Sequence, residues 1–168
     1  MTETQHLTLV PELATDKDID DLHYLLNFCA KSMADQGMQH WIGVYSLQAV
    51  NDNLQHKSVY KLSFKEQLVA CVALSQSPAT YYKDCWPDAP RADYYLTMLA
   101  VVPNYQQHGF GKQLVQFCQS LVPHGKSLQL DAVAHYPALL NFYRKLGFEQ
   151  INQGIGLGDK RYLFQWLA

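Results

Sequence analysis

The sequence predicts an α/β chain, one domain built on a mixed sheet with helices on both faces. Three observations lead there. At 168 residues the chain suits a single domain with a full hydrophobic core. Its apolar pattern switches between strand-like alternation and helical spacing in the order β-α-α-β-β-β-α-β-α-β-β. Strand–helix–strand units in the middle demand parallel neighbours, whereas the hairpins on either side are antiparallel.

Residues 7–10 alternate like a short first strand. Ile19, Leu22, Leu25, Leu26, Cys29 and Met33 then recur at helical spacing. Thr15 and Asp16 stand before that helix as caps, and Gly37 closes it. Leu47, Val50 and Leu54 predict a second helix with Ser46 as its N-cap. Ser58–Phe64 and residues 68–75 read as a hairpin around the polar turn Lys65-Glu66-Gln67.

Residues 76–93 break the periodicity with Pro78, Pro87 and Pro90 beside Tyr81, Tyr82 and Trp86. This predicts a long aromatic loop, the kind that serves function or moves. Residues 94–102 are a strand, and Phe110, Leu114, Phe117, Cys118 and Leu121 mark one face of the next helix. Another strand covers 127–134. Pro137 opens a helix that Gly147 closes, with Arg144 and Lys145 in its last turn. Strands near 148–153 and 160–166 finish the chain.

Composition excludes several functions. A net charge of -2 argues against non-specific nucleic-acid binding, which needs a basic surface. No apolar run approaches the roughly 20 residues of a membrane span, and the N-terminus lacks a signal-peptide pattern. The four cysteines, Cys29, Cys71, Cys85 and Cys118, are widely spaced without C-x-x-C. They suggest neither zinc nor a disulfide framework, and the seven histidines show no ligand spacing. The expectation is a cytoplasmic protein with no metal, no nucleic acid and no membrane as partner.

The most informative stretch runs from Val102 to Leu114. It places Gln106-x-x-Gly109-x-Gly111 between a strand and a helix. A helix start leaves N–H groups unpaired where the macrodipole is positive. This one carries two glycines and Lys112, and there is no carboxylate from Tyr94 to Leu130. Such a start is a seat for an external anion, and phosphate is the natural occupant. Gln107, His108, Gly109, Phe110, Gly111 and Lys112 would present the N–H groups. A Rossmann site fits less well, because the first glycine of G-x-G-x-x-G is missing and the loop follows the fourth strand.

This order of elements resembles the GCN5-related N-acetyltransferase (GNAT) family, whose acyl-CoA N-acyltransferase fold would cover nearly the whole chain. The family signature [QR]-x-x-G-x-[GA], after a strand ending in V-x-P or similar, is met by Gln106, Gly109 and Gly111 after Val101-Val102-Pro103. A second mark, Y-x-x-x-G-F, is met by Tyr143, Gly147 and Phe148.

The resemblance implies acetyl-coenzyme A as acyl donor and a primary amine, of a small molecule or a peptide, as acceptor. It implies that Leu99, Ala100 and Val101 line the cofactor and that one main-chain N–H among them polarises the thioester carbonyl. It also implies that Tyr143 donates a proton or hydrogen bond to the leaving thiolate, although a half-buried core tyrosine would share its helix face with Leu139 and Leu146. Relatives often carry an asparagine seven residues before this tyrosine; here that position is Tyr136, and Asn141 is the amide nearby.

The base is open among His135, Asp131 and His40. Asp131 shares strand parity with His135, so both could face one side. Acceptor contacts would come from Trp41 and from Tyr81, Tyr82 and Trp86, whose rings suit a cationic amine or an interface between two copies. A non-catalytic domain of the same fold that senses acyl-coenzyme A is the alternative to the enzyme.

Overall fold

Short-range signals set most element ends. Thr15 N donates to Asp18 Oδ2 at 2.8 Å, and a 3-10 turn over Asp16–Asp18 leads into α1, Ile19–Asp35. Ser46 Oγ accepts from Ala49 N at 3.1 Å, satisfying a free N–H at the start of α2, Leu47–His56. The computed structural model describes residues 8–168. Its further helices are α3 (Tyr82–Cys85), α4 (Phe110–Leu121) and α5 (Pro137–Lys145). Its strands are β1 (Glu12–Leu13), β2 (Ser58–Phe64), β3 (Gln67–Ser75), β4 (Tyr94–Val101), β5 (Ser127–Val133), β6 (Glu149–Gly156) and β7 (Asp159–Leu167).

The strand order is β1-β2-β3-β4-β5-β7-β6. β4 and β5 are parallel, while β1-β2, β2-β3, β5-β7 and β6-β7 are antiparallel. The mixed sheet is therefore as the sequence predicts. Two compact units divide the chain. One holds the chain up to Leu74 together with Met98–Phe117, and the other Ser75–Thr97 with Cys118–Ala168.

In the first unit, Val59, Cys71, Ala73, Met98 and Ala100 form one core cluster with Leu22, Leu25, Leu26 and Cys29 of α1 and Val50 of α2. The next residue of β2 points the other way, as strand alternation requires. Tyr60 there meets Phe117 of α4 at 4.9 Å between ring centroids. Helices thus cover both faces of this part of the sheet. The β2–β3 hairpin turns through Lys65 and Glu66, both at positive φ (50° and 63°), which suits the twist of a two-residue hairpin.

In the second unit, Tyr82, Trp86, Ala92, Tyr95 and Leu163 share one cluster. Phe164, the next residue of β7, meets Tyr143 of α5 at 6.1 Å. The 82–86 segment and α5 therefore lie on opposite faces of β7.

Two expectations need correction. Residues 8–10 form no strand, and Leu7 lies outside the described residues. Val10 is 78% exposed, so its alternation reports no buried face; β1 lies instead at Glu12–Leu13, against Lys61 and Tyr60. Residues 76–93 contain one turn of helix, α3, and its Tyr82 and the following Trp86 are core.

Candidate active site

The start of α4 belongs to the first unit. Pro103–His108 is a 3-10 stretch, and Gly109 follows at φ +78°, a left-handed conformation that favours glycine. Gln113 N donates to Gly109 O at 3.0 Å. This first helical bond leaves the N–H groups of Phe110, Gly111 and Lys112 before it, without an acceptor in the helix. Phe110 is fully buried and anchors the turn, while Gln106, Gln107 and Lys112 are exposed.

His108 stacks on Phe110 and lies tilted against Tyr105, each 5.7 Å away, and those two rings also stack on one another. Its Nδ1 is buried and has no hydrogen-bond partner among the described residues. The turn thus offers unpartnered N–H groups, an exposed cation and no acidic side chain.

β4 enters the same unit at Met98, which has φ +60° although it is not glycine. Strain of about 1–2 kcal/mol is the usual cost of that conformation. The parallel register of β4 with β5, in the other unit, consists of Tyr94↔Leu128 and Tyr95↔Gln129. Ala100 is buried, and Leu99 and Val101 are half-buried. Gln106, first residue of the glycine signature, donates Nε2 to Val101 O at 3.2 Å. The signature glutamine therefore ties the loop to the strand end.

The second unit holds a closed polar cluster around Asp131, whose side chain is 6% exposed. Arg161 Nη1 donates to Oδ2 at 3.0 Å. Tyr82 Oη donates to Oδ1 at 2.8 Å, and Tyr81 Oη lies 2.9 and 3.0 Å from the two oxygens. Arg161 also donates Nε to Gly156 O at 2.8 Å and stacks over the Tyr81 ring. Burial, with the Asp131 charge beside it, pushes the Tyr82 phenol well above its ordinary pKa.

Tyr143 is 6% exposed, packed among Phe142, Phe148 and Phe164. Burial raises its pKa strongly, and Asp131 adds to the shift. Its hydroxyl has no hydrogen-bond partner among the described residues.

Several predicted site residues change character in the structure. Tyr82 and Trp86 are core side chains, 6% and 4% exposed, and not an open rim. Asp131 has both oxygens occupied by a guanidinium and two phenols. It does not share a face with His135 along a strand, because β5 ends at Val133 and His135 is exposed in the turn beyond. Asn141 is exposed on α5. Trp41 is half-buried against the first unit's core, edge-on to Tyr45 at 5.1 Å. Arg161 and Met98 drew no notice in the sequence. An arginine opening the apolar run of β7 was a usable signal; the backbone of Met98 offered none. Among the described residues no group of three His, Cys, Asp or Glu could hold a metal.

The acetyltransferase (GNAT) domain model matches residues 55–150. The chain is 28% identical over 142 residues to the "Uncharacterized N-acetyltransferase YesJ" of Bacillus subtilis (strain 168), covering 81% of this chain and 79% of that one. Among solved structures it is similar to a GNAT-family acetyltransferase from Streptococcus agalactiae 2603, with TM-score 0.79, 15% identity and 95% of each chain covered. It is also similar to the PaiA N-acetyltransferase of Thermoplasma acidophilum in complex with coenzyme A. There the TM-score is 0.70 and the identity 13%, over 96% of this chain and all of that one (100%).

Proposed function

We infer the reaction from one premise: the chain belongs to the GNAT acetyltransferase family, whose domain model spans more than half of it. It is an acetyltransferase. The proposed reaction moves the acetyl group of acetyl-coenzyme A directly to a primary amine of a small molecule or a peptide, in the cytoplasm. The observation that carries this is the start of α4. Its free N–H groups, the left-handed Gly109 and the cationic Lys112 suit a pyrophosphate. A lysine in the first turn opposes the dipole by about 0.3–1 kcal/mol unless an anion sits there.

When bound, acetyl-coenzyme A supplies an activated acyl thioester. The family resemblance gives this chain's residues separate tasks. Phe110, Gly111 and Lys112, whose N–H groups precede the first bond of α4, would hold the phosphates through the main chain, whereas Gln107, His108 and Gly109 spend theirs in the 3-10 turn. One main-chain N–H in the Leu99 to Val101 stretch stabilises negative charge on the thioester oxygen. Tyr143 donates a hydrogen bond, or its proton, to the leaving sulfur, and its raised pKa, which keeps the phenol protonated, favours the hydrogen bond. The proton of the incoming ammonium leaves through water or the exposed His135. With Asp131 occupied internally, it is not proposed as the base.

Thermal unfolding with saturating acetyl-coenzyme A, with NAD as control, tests the cofactor. At about 100 times its dissociation constant the ligand adds roughly 2.7 kcal/mol, a rise of about 5–11 °C. A shift with acetyl-coenzyme A alone supports the reading. Equal shifts with both ligands, or none, would remove it.

A further inference from the structure

The buried thiol of Cys71 meets the strand that the proposed reaction uses. On β3, Cys71 donates Sγ–H to the carbonyl oxygen of Met98 at 3.5 Å. Met98 is the strained residue of β4, at φ +60°. A peptide unit is planar and trans, so its C=O and N–H point in opposite directions. Holding the Met98 oxygen toward Cys71 therefore turns the Leu99 N–H away from β3. Leu99 opens the stretch whose main-chain N–H is assigned to the thioester oxygen.

Cys29 of α1 makes the parallel contact, to Val101 O at 3.4 Å, but its situation differs. Val101 O also receives Gln106 Nε2 at 3.2 Å, and the N–H of the same peptide unit, on Val102, donates to Val69 O at 2.9 Å. That plane is held three times over.

We propose that Cys71 is a positioning residue for acetyl transfer: its thiol fixes the Met98–Leu99 peptide so that the Leu99 N–H faces the thioester oxygen. The proposal rests on the acetyltransferase mechanism above. Full burial raises the Cys71 pKa far above the usual thiol range, so the S–H persists at any assay pH.

The test compares Cys71→Val and Cys71→Ala, which lack the donor, with Cys71→Ser, which keeps one, and with Cys29→Val. Three readouts are needed. These are coenzyme A release from acetyl-coenzyme A without amine, coenzyme A affinity by calorimetry, and the Leu99 amide resonance and exchange rate in the ligand-free protein. Release should fall about tenfold in the valine and alanine variants, part of the roughly 10²–10³ that a full donor is worth, while affinity stays within about twofold. The Leu99 amide should shift and exchange faster. Cys71→Ser should recover most of the rate, and Cys29→Val should keep it.

Unchanged release in a folded Cys71→Val protein overturns the proposal, as does a rate that serine does not restore. If the wild-type protein neither binds nor cleaves acetyl-coenzyme A, the mechanism fails first. The Leu99 amide would then still decide whether Cys71 holds the strand.

Discussion

The start of α4 and the Asp131 cluster both gather polar groups, and they differ in who supplies the partners. Around Asp131 the chain supplies all of them: one guanidinium and two phenols meet one carboxylate. At α4 the N–H groups of Phe110, Gly111 and Lys112 and the buried His108 Nδ1 have none among the described residues. The two buried tyrosines repeat the contrast, since Tyr82 Oη is bound by Asp131 while Tyr143 Oη has no partner among the described residues. A closed network stabilises a fold; an open one awaits a ligand.

The contrast breaks most visibly if Asp131 proves dispensable. Asp131→Ala removes the buried carboxylate that Arg161 Nη1 and the Tyr82 and Tyr81 hydroxyls meet, and should cost about 3–5 kcal/mol in urea unfolding. A loss under about 1 kcal/mol would mean that water already serves this cluster.

Next in size is the tyrosine pair. Tyr143→Phe should lower acetyl transfer to the best amine of a screening panel by about 10²-fold, leaving coenzyme A affinity within about twofold. Tyr82→Phe should instead cost about 1–3 kcal/mol of stability with transfer retained. If the two variants behave alike, the distinction between bound and free hydroxyls is wrong.

Tyr143 also has an alkaline signature. Its folded pKa is raised above the unfolded value near 10. Its protonated form is the one the fold favours, so that stability is complete below about pH 10 and is lost as pH rises toward the folded value. Urea midpoints at pH 9 and 11 should therefore fall less in Tyr143→Phe than in wild type.

Gly109→Ala places a Cβ at φ +78°. It should cost about 1–2 kcal/mol of stability and weaken acetyl-coenzyme A at least about tenfold, or 1.4 kcal/mol. Intact affinity would show that the turn is only structural. The smallest effect sharpens the comparison most. Lys112→Ala should stabilise the ligand-free protein by about 0.3–1 kcal/mol while weakening coenzyme A, because the cation opposes the dipole until an anion arrives.

Much of this was legible in sequence because the signals are local. Ser46 capped the helix it was expected to cap, and the pattern of α1 marked its buried residues Leu22, Leu25, Leu26 and Cys29. The glycine signature marked the loop before α4, since a left-handed residue at a helix start writes itself as glycine. The aromatic segment 76–93 misled, because proline-rich sequence says nothing about whether a tyrosine turns inward. Residues 8–10 misled for a related reason: alternation implies a strand only where a second strand lies beside it.

By itself, then, the sequence determined the order of elements apart from α3, the mixed character of the sheet and the glycine turn before α4. Each depends on residues within a few positions of one another, through periodicity, capping and backbone permissiveness. Only the tertiary structure decided that Asp131 spends its charge on Arg161, 30 residues away, and that Tyr82 is core. The same holds for the Met98 carbonyl, which meets a thiol 27 residues earlier in the chain. Those outcomes depend on which distant group arrives within hydrogen-bond reach, and strand pairing, not local propensity, sets that.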